Sequence, residues 1–214
     1  DPVDNIYGYV CEGIFRTQEE IDNSCSQIWG AVPGDLKYAD INNDNVVDQS
    51  DRISLGSTFP KINFGLRLNC EYRNFDLTML MQGAGMVKGV TAGEISQAFM
   101  NGGKVTEEWL DRWPPNNINA SYPRLTLSSS SRNYMTSSFW VQNASYLKMR
   151  NLQIGYTIPK HLLTNWGISN LRLYCSIDNL FTITNFKGLD PEMVTSSTLY
   201  PLTRNYSFGV NLSF

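Results

Sequence analysis

Charge is scarce in this 214-residue chain: Asp, Glu, Lys and Arg make up 17% of it, below the roughly 25% usual in soluble domains. No run approaches the ~18 apolar residues of a transmembrane helix. That lack does not touch strands, because a membrane-spanning barrel strand alternates lipid-facing and lumen-facing residues and keeps its mean hydropathy moderate. The net charge is −3 and Lys and Arg cluster nowhere, so there is no basic field for a phosphate backbone, and nucleic acid is excluded as a partner. One histidine, His161, and four cysteines, Cys11, Cys25, Cys70 and Cys175, without a CxxC pair give no zinc site. Cys11 and Cys25 share a loop-rich stretch, and spacing alone leaves their pairing open. Cys70 and Cys175 fall on apolar strand faces and read as small hydrophobes. The chain opens at Asp1 without a charged or apolar leader, so its start is expected to be internal.

What the sequence does have is aromatics, 12%, and alternation. Ile62, Phe64, Leu66, Leu68, Cys70 and Tyr72 alternate with Asn63, Gly65, Arg67, Asn69 and Glu71, a period of two that defines a strand with one apolar face. After Arg73-Asn74 the pattern resumes at Phe75, Leu77, Met79 and Met81, which makes a tight hairpin. Leu152, Ile154, Tyr156 and Ile158 form a third strand that Pro159 ends, since proline has no N–H for a ladder. Leu171, Leu173, Cys175 and Ile177 form a fourth. Tyr206, Phe208, Val210, Leu212 and Phe214, opposed by Ser207, Gly209, Asn211 and Ser213, form the last. Ile6–Phe15 is a candidate sixth.

Expected strands are therefore 61–72, 75–83, 147–158, 171–180 and 205–214. With the C-terminus periplasmic, the inner connections are 73–74 and 159–170, and the external ones are 84–146, 181–204 and whatever precedes 61. Short turns inside and long loops outside is the arrangement of outer-membrane barrels. Apolar faces continuous over about five positions suit a tilted bilayer crossing of about 9–11 residues, with Arg67, Glu71, Arg172 and Asp178 turned to a lumen. Tyr72, Tyr156 and Trp166 fit an interfacial aromatic girdle. The expected class is all-β, a partial transmembrane antiparallel barrel with long external loops that carry short helices.

In the first loop, Asp40, Asn42, Asp44, Val46 (through its carbonyl), Asp48 and Asp51 occupy positions 1, 3, 5, 7, 9 and 12 of a twelve-residue stretch, the oxygen spacing of an EF-hand calcium loop. Asn45 stands where that loop has glycine, and Asp51 where it has a bidentate Glu. The expectation is a structural divalent cation, Ca2+; the alternative is an Asp/Asn-rich turn that caps its own backbone. In the 84–146 loop, Ile95, Phe99, Val105, Trp109 and Leu110 allow short helices, broken at Gly102-Gly103 and ended at Pro114-Pro115. Trp109, Trp113, Tyr134 and Trp140 are ligand-contact candidates, with the loop's own core as their other reading. His161, Asp190 and Glu192 form no catalytic constellation, and no enzyme is expected.

These residues resemble the SusC/RagA outer-membrane transporters. The resemblance runs through Tyr7-Gly8-Tyr9, Gly13-Ile14-Phe15, Gln18-Glu19-Glu20-Ile21, Gly34-Asp35-Leu36-Lys37-Tyr38, Tyr146–Leu152 with Gly155-Tyr156 and Pro159, Asp178-Asn179-Leu180-Phe181, Gly188–Glu192 and the terminal strand. It implies the C-terminal strands of a barrel of about 22 strands, with an N-terminal plug absent from this chain. It also implies energy from a TonB complex reached through the missing N-terminal region, a SusD-like surface lipoprotein, and glycan or peptide substrates crossing a Gram-negative outer membrane. Tyr206, Phe208, Val210, Leu212 and Phe214 would be the assembly signal, and the rest of the barrel would close the sheet from an upstream or separate segment. A secreted calcium-binding β-sandwich for adhesion or carbohydrate binding also alternates; it would need no detergent.

Overall fold

A strand with one apolar face must hide that face in protein or in lipid, and the pairing of its neighbours decides which. The computed structural model describes residues 4–91, 93, 96–114, 117, 119–127, 131–194, 200 and 202–214. In chain order the strands are β1 (Asn5–Gly8), β2 (Cys11–Ile14), β3 (Leu36–Tyr38), β4 (Ile53–Ser57), β5 (Ile62–Tyr72), β6 (Phe75–Gly85), β7 (Lys88–Val90), β8 (Val141–Asn143), β9 (Tyr146–Thr157), β10 (Asn170–Asp178), β11 (Thr182–Thr184) and β12 (Asn205–Ser213). They divide between two units, residues 60–86, 145–185 and 200–214 in one and 1–59, 87–144 and 186–199 in the other.

The first unit is an antiparallel sheet in the order β12, β10, β9, β6, β5, with β11 added to β9. The five long strands match the expected ranges within two residues at every end. Their register places Leu68, Met79, Leu152, Ile177 and Tyr206 in one row across the sheet. Cys70, Leu77, Ile154, Cys175 and Phe208 form the next row of that kind, and Tyr72, Phe75, Tyr156, Leu173 and Val210 another. Between these rows lie Asn69, Thr78, Gln153, Ser176 and Ser207, then Glu71, Asp76, Gly155, Tyr174 and Gly209. A slip of one residue at any pairing would interleave the two kinds. Phe64, Leu66, Leu77, Ile154, Leu173, Phe208 and Val210 are exposed, so the shared apolar face is not covered by protein. Cys70 and Cys175 lie on this outward face and not in a protein core.

The eleven residues of β5 extend about 36 Å at about 3.3 Å per residue. Tilted by about 45°, that becomes about 25 Å, the height of the apolar band on outer-membrane barrels. The 73–74 hairpin turns with Arg73 at φ 55°. Beside it Phe75 packs on Tyr156 with ring centroids 4.6 Å apart, which adds Phe75 to the expected girdle of Tyr72, Tyr156 and Trp166. A register shift between Leu80 and Met81 leaves Arg150 as the extra residue of a bulge in β9. Past Pro159, the connection to β10 holds a short helix, α1 (Lys160–Leu163), and a 3-10 turn ending at Trp166.

The second unit departs from the picture of separate loops. Its three segments share buried clusters with one another. Strands pair as β1 with β4, β2 with β3 and β7 with β8, so Ile6–Phe15 supplies β1 and β2 here and not a sixth barrel strand. Tyr9, Ile14, Leu36, Tyr38 and Val47 are buried together, and Ala98, Trp109 and Trp140 form a second cluster. Polar groups tie the segments across the sequence. Asp35 accepts from Arg124 Nε at 2.6 Å and Asn133 Nδ2 at 2.9 Å. Asn133 Oδ1 accepts from Leu36 N at 2.9 Å, and Trp140 Nε1 donates to Asn133 O at 2.7 Å. The buried Arg132 donates to Gln27 Oε1 at 2.6 Å and to Leu36 O at 2.9 Å. The expected helices of 91–113 are 3-10 turns at Met100–Gly102 and Glu107–Asp111; Ile95 and Pro115 lie outside the described residues.

Candidate functional site

On the polar face of the sheet, the Arg172 guanidinium reaches Asp76 by two parallel hydrogen bonds, Nε to Oδ1 at 2.8 Å and Nη2 to Oδ2 at 2.5 Å. Arg172 is on β10 and Asp76 on β6, so the pair crosses the intervening β9. It can do so because the residue beneath is Gly155: a Cβ there would lie 2.3 Å from Asp76 Oδ1 and 2.5 Å from Arg172 Nη2. Gly209 likewise makes room for the Tyr174 ring. Asn151 Nδ2 donates to Ser176 Oγ at 2.9 Å and Asp178 Oδ1 at 2.7 Å. Charges and amides thus line one face continuously, which alternation foretold; the bridge over Gly155 needed the register.

The 40–51 loop is organised by its own backbone. Asp40 accepts from Asn43 N and Asn45 N, both at 2.7 Å, Asp44 from Val46 N at 2.8 Å, and Asp48 from Ser50 N at 2.7 Å. Asn43 and Asn45 take the left-handed conformation at φ 62° and 67°, the conformation that glycine provides at the position of Asn45 in an EF-hand loop. Asp51 is buried and accepts from Ile41 N at 2.7 Å, Asp48 N at 2.8 Å and Asn42 N at 3.3 Å. Burial pushes its carboxyl up, but those N–H groups of Asp48, Ile41 and Asn42 outweigh it and hold it below the ordinary Asp range. Among the described residues no group of three or more His, Cys, Asp or Glu side chains is gathered to hold a metal. A carboxylate oxygen that accepts one N–H keeps a second lone pair, whereas Asp51 Oδ1 already accepts two, from Ile41 N and Asn42 N.

The aromatic ligand-contact candidates are corrected by burial. Trp109 and Trp140 are 2% and 4% exposed, at the centre of a cluster with Tyr122, Tyr134 and Phe139, while Trp113 packs against the other core cluster. Tyr134 donates its hydroxyl to Thr126 O at 3.1 Å. These rings hold the unit together, and Trp109 and Trp140 have no face left for a ligand. Among the described tryptophans of this unit the exposed indole is Trp29, at 71%, which the sequence reading passed over; its only signal was an aromatic residue beside Gly30 in a loop. All four thiols are free, and burial among the core side chains pushes Cys11 up to about 11. Tyr206, Phe208, Val210 and Leu212 all lie on the exposed apolar face of β12, with Phe214 just past its end.

A sheet without an apolar core on its outer side, charged on its inner side and long enough to cross a bilayer is the wall of a membrane-spanning β-barrel. No protein-family profile matches the chain. It is 26% identical to TonB-dependent receptor P3 of Formosa agariphila over 230 aligned positions, all of this chain and 22% of that protein. To the TonB-dependent receptor SusC of Bacteroides thetaiotaomicron it is 25% identical, over 97% of this chain and 20% of that one. A solved structure of the RagAB peptide transporter superposes on 98% of the chain with a TM-score of 0.76 at 22% identity, covering 22% of its own chain. The chain thus spans about a fifth of the length of the curated relatives it matches. By sequence it is similar to TonB-dependent receptors, and the fold it shares with the RagAB transporter is that of one part of a barrel.

Proposed function

We propose that the protein to which this chain belongs imports oligosaccharides or peptides across the outer membrane of a Gram-negative bacterium, drawing on TonB and working with a SusD-like surface lipoprotein. The observation that carries the reading is the five-strand register, apolar on the exposed face and charged on the other. The chain provides barrel wall; the plug and the TonB contact belong to the part of the polypeptide outside it. Tyr206, Phe208, Val210, Leu212 and Phe214 serve as the strand that the assembly machinery reads. Because unpaired N–H and C=O groups in hydrocarbon each cost several kcal/mol, β5 and β12, the outer strands of the sheet, pair with further barrel strands. The test is uptake of labelled oligosaccharides and peptides by cells carrying the full-length receptor, with and without a protonophore, and co-purification of a lipoprotein from detergent extract. Uptake should stop when the proton gradient collapses. Recovery of the protein in the soluble fraction without detergent, or uptake indifferent to the gradient, overturns the proposal.

We also propose that residues 40–51 take up Ca2+, held by Asp40, Asn42, Asp44, the Val46 carbonyl, Asp48 and Asp51. The twelve-residue oxygen spacing and the left-handed Asn45 support it. Calcium is expected to raise the melting temperature of the purified receptor and to protect this loop from protease, and Asp40→Ala with Asp44→Ala should abolish both effects. Identical melting and cleavage with calcium and with chelator would leave the loop as a self-capped turn.

A further inference from the structure

Trp29 is held where a bulky side chain is least expected. Its backbone sits at φ 57°, in the left-handed region, next to Gly30 at φ 72°, and its indole is exposed. Such strain persists only where the surroundings impose it, and it gathers at ligand-contacting positions. Trp29 lines a recess of about 320 Å3 together with Tyr9, Ile28, Gln49, Arg52, Met135 and Thr136, within the roughly 300–1,000 Å3 of small-ligand sites. Arg52 donates to Tyr7 O at 2.8 Å through one terminal nitrogen, which leaves the others to the recess. The loop 40–51 fixes this recess: Ser26 N donates to Asn45 O at 2.9 Å and Val47 N to Ser26 O at 2.8 Å, tying the strand of chain that carries Trp29 to the loop that carries Gln49.

We propose that Trp29, Gln49 and Arg52 form a subsite for one sugar ring of an oligosaccharide. A pyranose has a flat face of C–H bonds, which the electron-rich face of an indole attracts, and hydroxyls at its rim, which an amide and a guanidinium meet with paired hydrogen bonds. An extended peptide would instead be read by main-chain hydrogen bonds. The extended backbone at this recess is already paired, since Tyr9 N donates to Thr136 O at 3.0 Å and Ser138 N to Tyr9 O at 2.9 Å. The recess therefore presents side-chain groups and an aromatic platform, which is the chemistry of sugar recognition.

The inference rests on the import reading and names its substrate class. Its test is binding to the full-length receptor in detergent, by tryptophan fluorescence and calorimetry, with a panel of linear oligosaccharides and a panel of peptides. Trp29→Ala is expected to weaken oligosaccharide binding about tenfold or more, Gln49→Ala to weaken it less, and Trp29→Phe to keep most of it. Trp29→Gly, which relieves the backbone, should lose binding while its melting temperature holds or rises; a merely structural tryptophan would give the opposite. Unchanged oligosaccharide binding by Trp29→Ala, or Trp29-dependent binding of peptides alone, overturns the sugar subsite while import stands. A receptor that the uptake experiment shows to import nothing takes both readings down together.

Discussion

Val210→Arg is expected to destabilise the assembled barrel by about 2–4 kcal/mol, whereas Asn211→Arg one residue later should be tolerated. Val210 is the middle of the five apolar positions Tyr206, Phe208, Val210, Leu212 and Phe214, and it is exposed. In the register it stands beside Leu173, with Phe208 and Leu212 on either side of it along the same apolar face. A guanidinium there meets hydrocarbon, where an Arg near the bilayer midplane is most costly. Asn211 faces the other way, opposite Arg172, on the face that already holds the Asp76–Arg172 charges. The measurement is the fraction of full-length protein that migrates as folded barrel in unheated gels of outer-membrane preparations, together with its midpoint in urea. Equal losses at the two positions would mean that the apolar rows do not face lipid.

Gly155→Val should be the most damaging change on the polar face, at about 2–4 kcal/mol, for a reason that conservative chemistry hides. The new side chain has the highest of strand propensities and would be welcome in most strands. Here its Cβ alone would come within 2.3 Å of Asp76 Oδ1, so the Asp76–Arg172 pair must open. Both side chains are about one-fifth exposed, and parting two such charges in a half-dry wall leaves each without its partner. Crowding at the site adds about 1–3 kcal/mol of its own. The check is a cycle with Asp76→Ala: once the carboxylate is gone, Gly155→Val should cost much less, and additive losses would show that the bridge is not what the glycine protects.

The sheet was legible because its signal is local. Period-two alternation from Ile62 to Met81 and from Tyr206 to Phe214 needs no knowledge of neighbours, and proline at 159 marks a strand end by chemistry alone. The second unit was not legible for the opposite reason. Asp35 meets Asn133 and Arg132 meets Gln27 across 98 and 105 residues, and nothing in either stretch announces the other. Trp109 and Trp140 looked like surface aromatics because they sit in polar, glycine-broken sequence; the residues that bury them come from several turns at once. The Asp/Asn spacing of 40–51 could be read directly, yet the same oxygens that suit a cation also suit the loop's own N–H groups, and sequence does not rank the two. Trp29 escaped because its meaning lies in a backbone angle.

The three-segment construction of the second unit also sets a timetable for folding. Between Asp35 and its partner Asn133 lie the β5–β6 hairpin and some fifty further residues. Contacts of such long sequence separation close slowly, because the loop entropy is lost before the contacts form. Until then, Tyr38, Leu36 and the buried guanidinium of Arg132 stand open to other chains. A hairpin that pairs early, Ile62 against Gly85, draws the ends of the first and second segments together and shortens that search. Mutations that loosen the 73–74 turn are therefore expected to reach a core to which no residue of the turn belongs, through the rate at which its distant parts find one another.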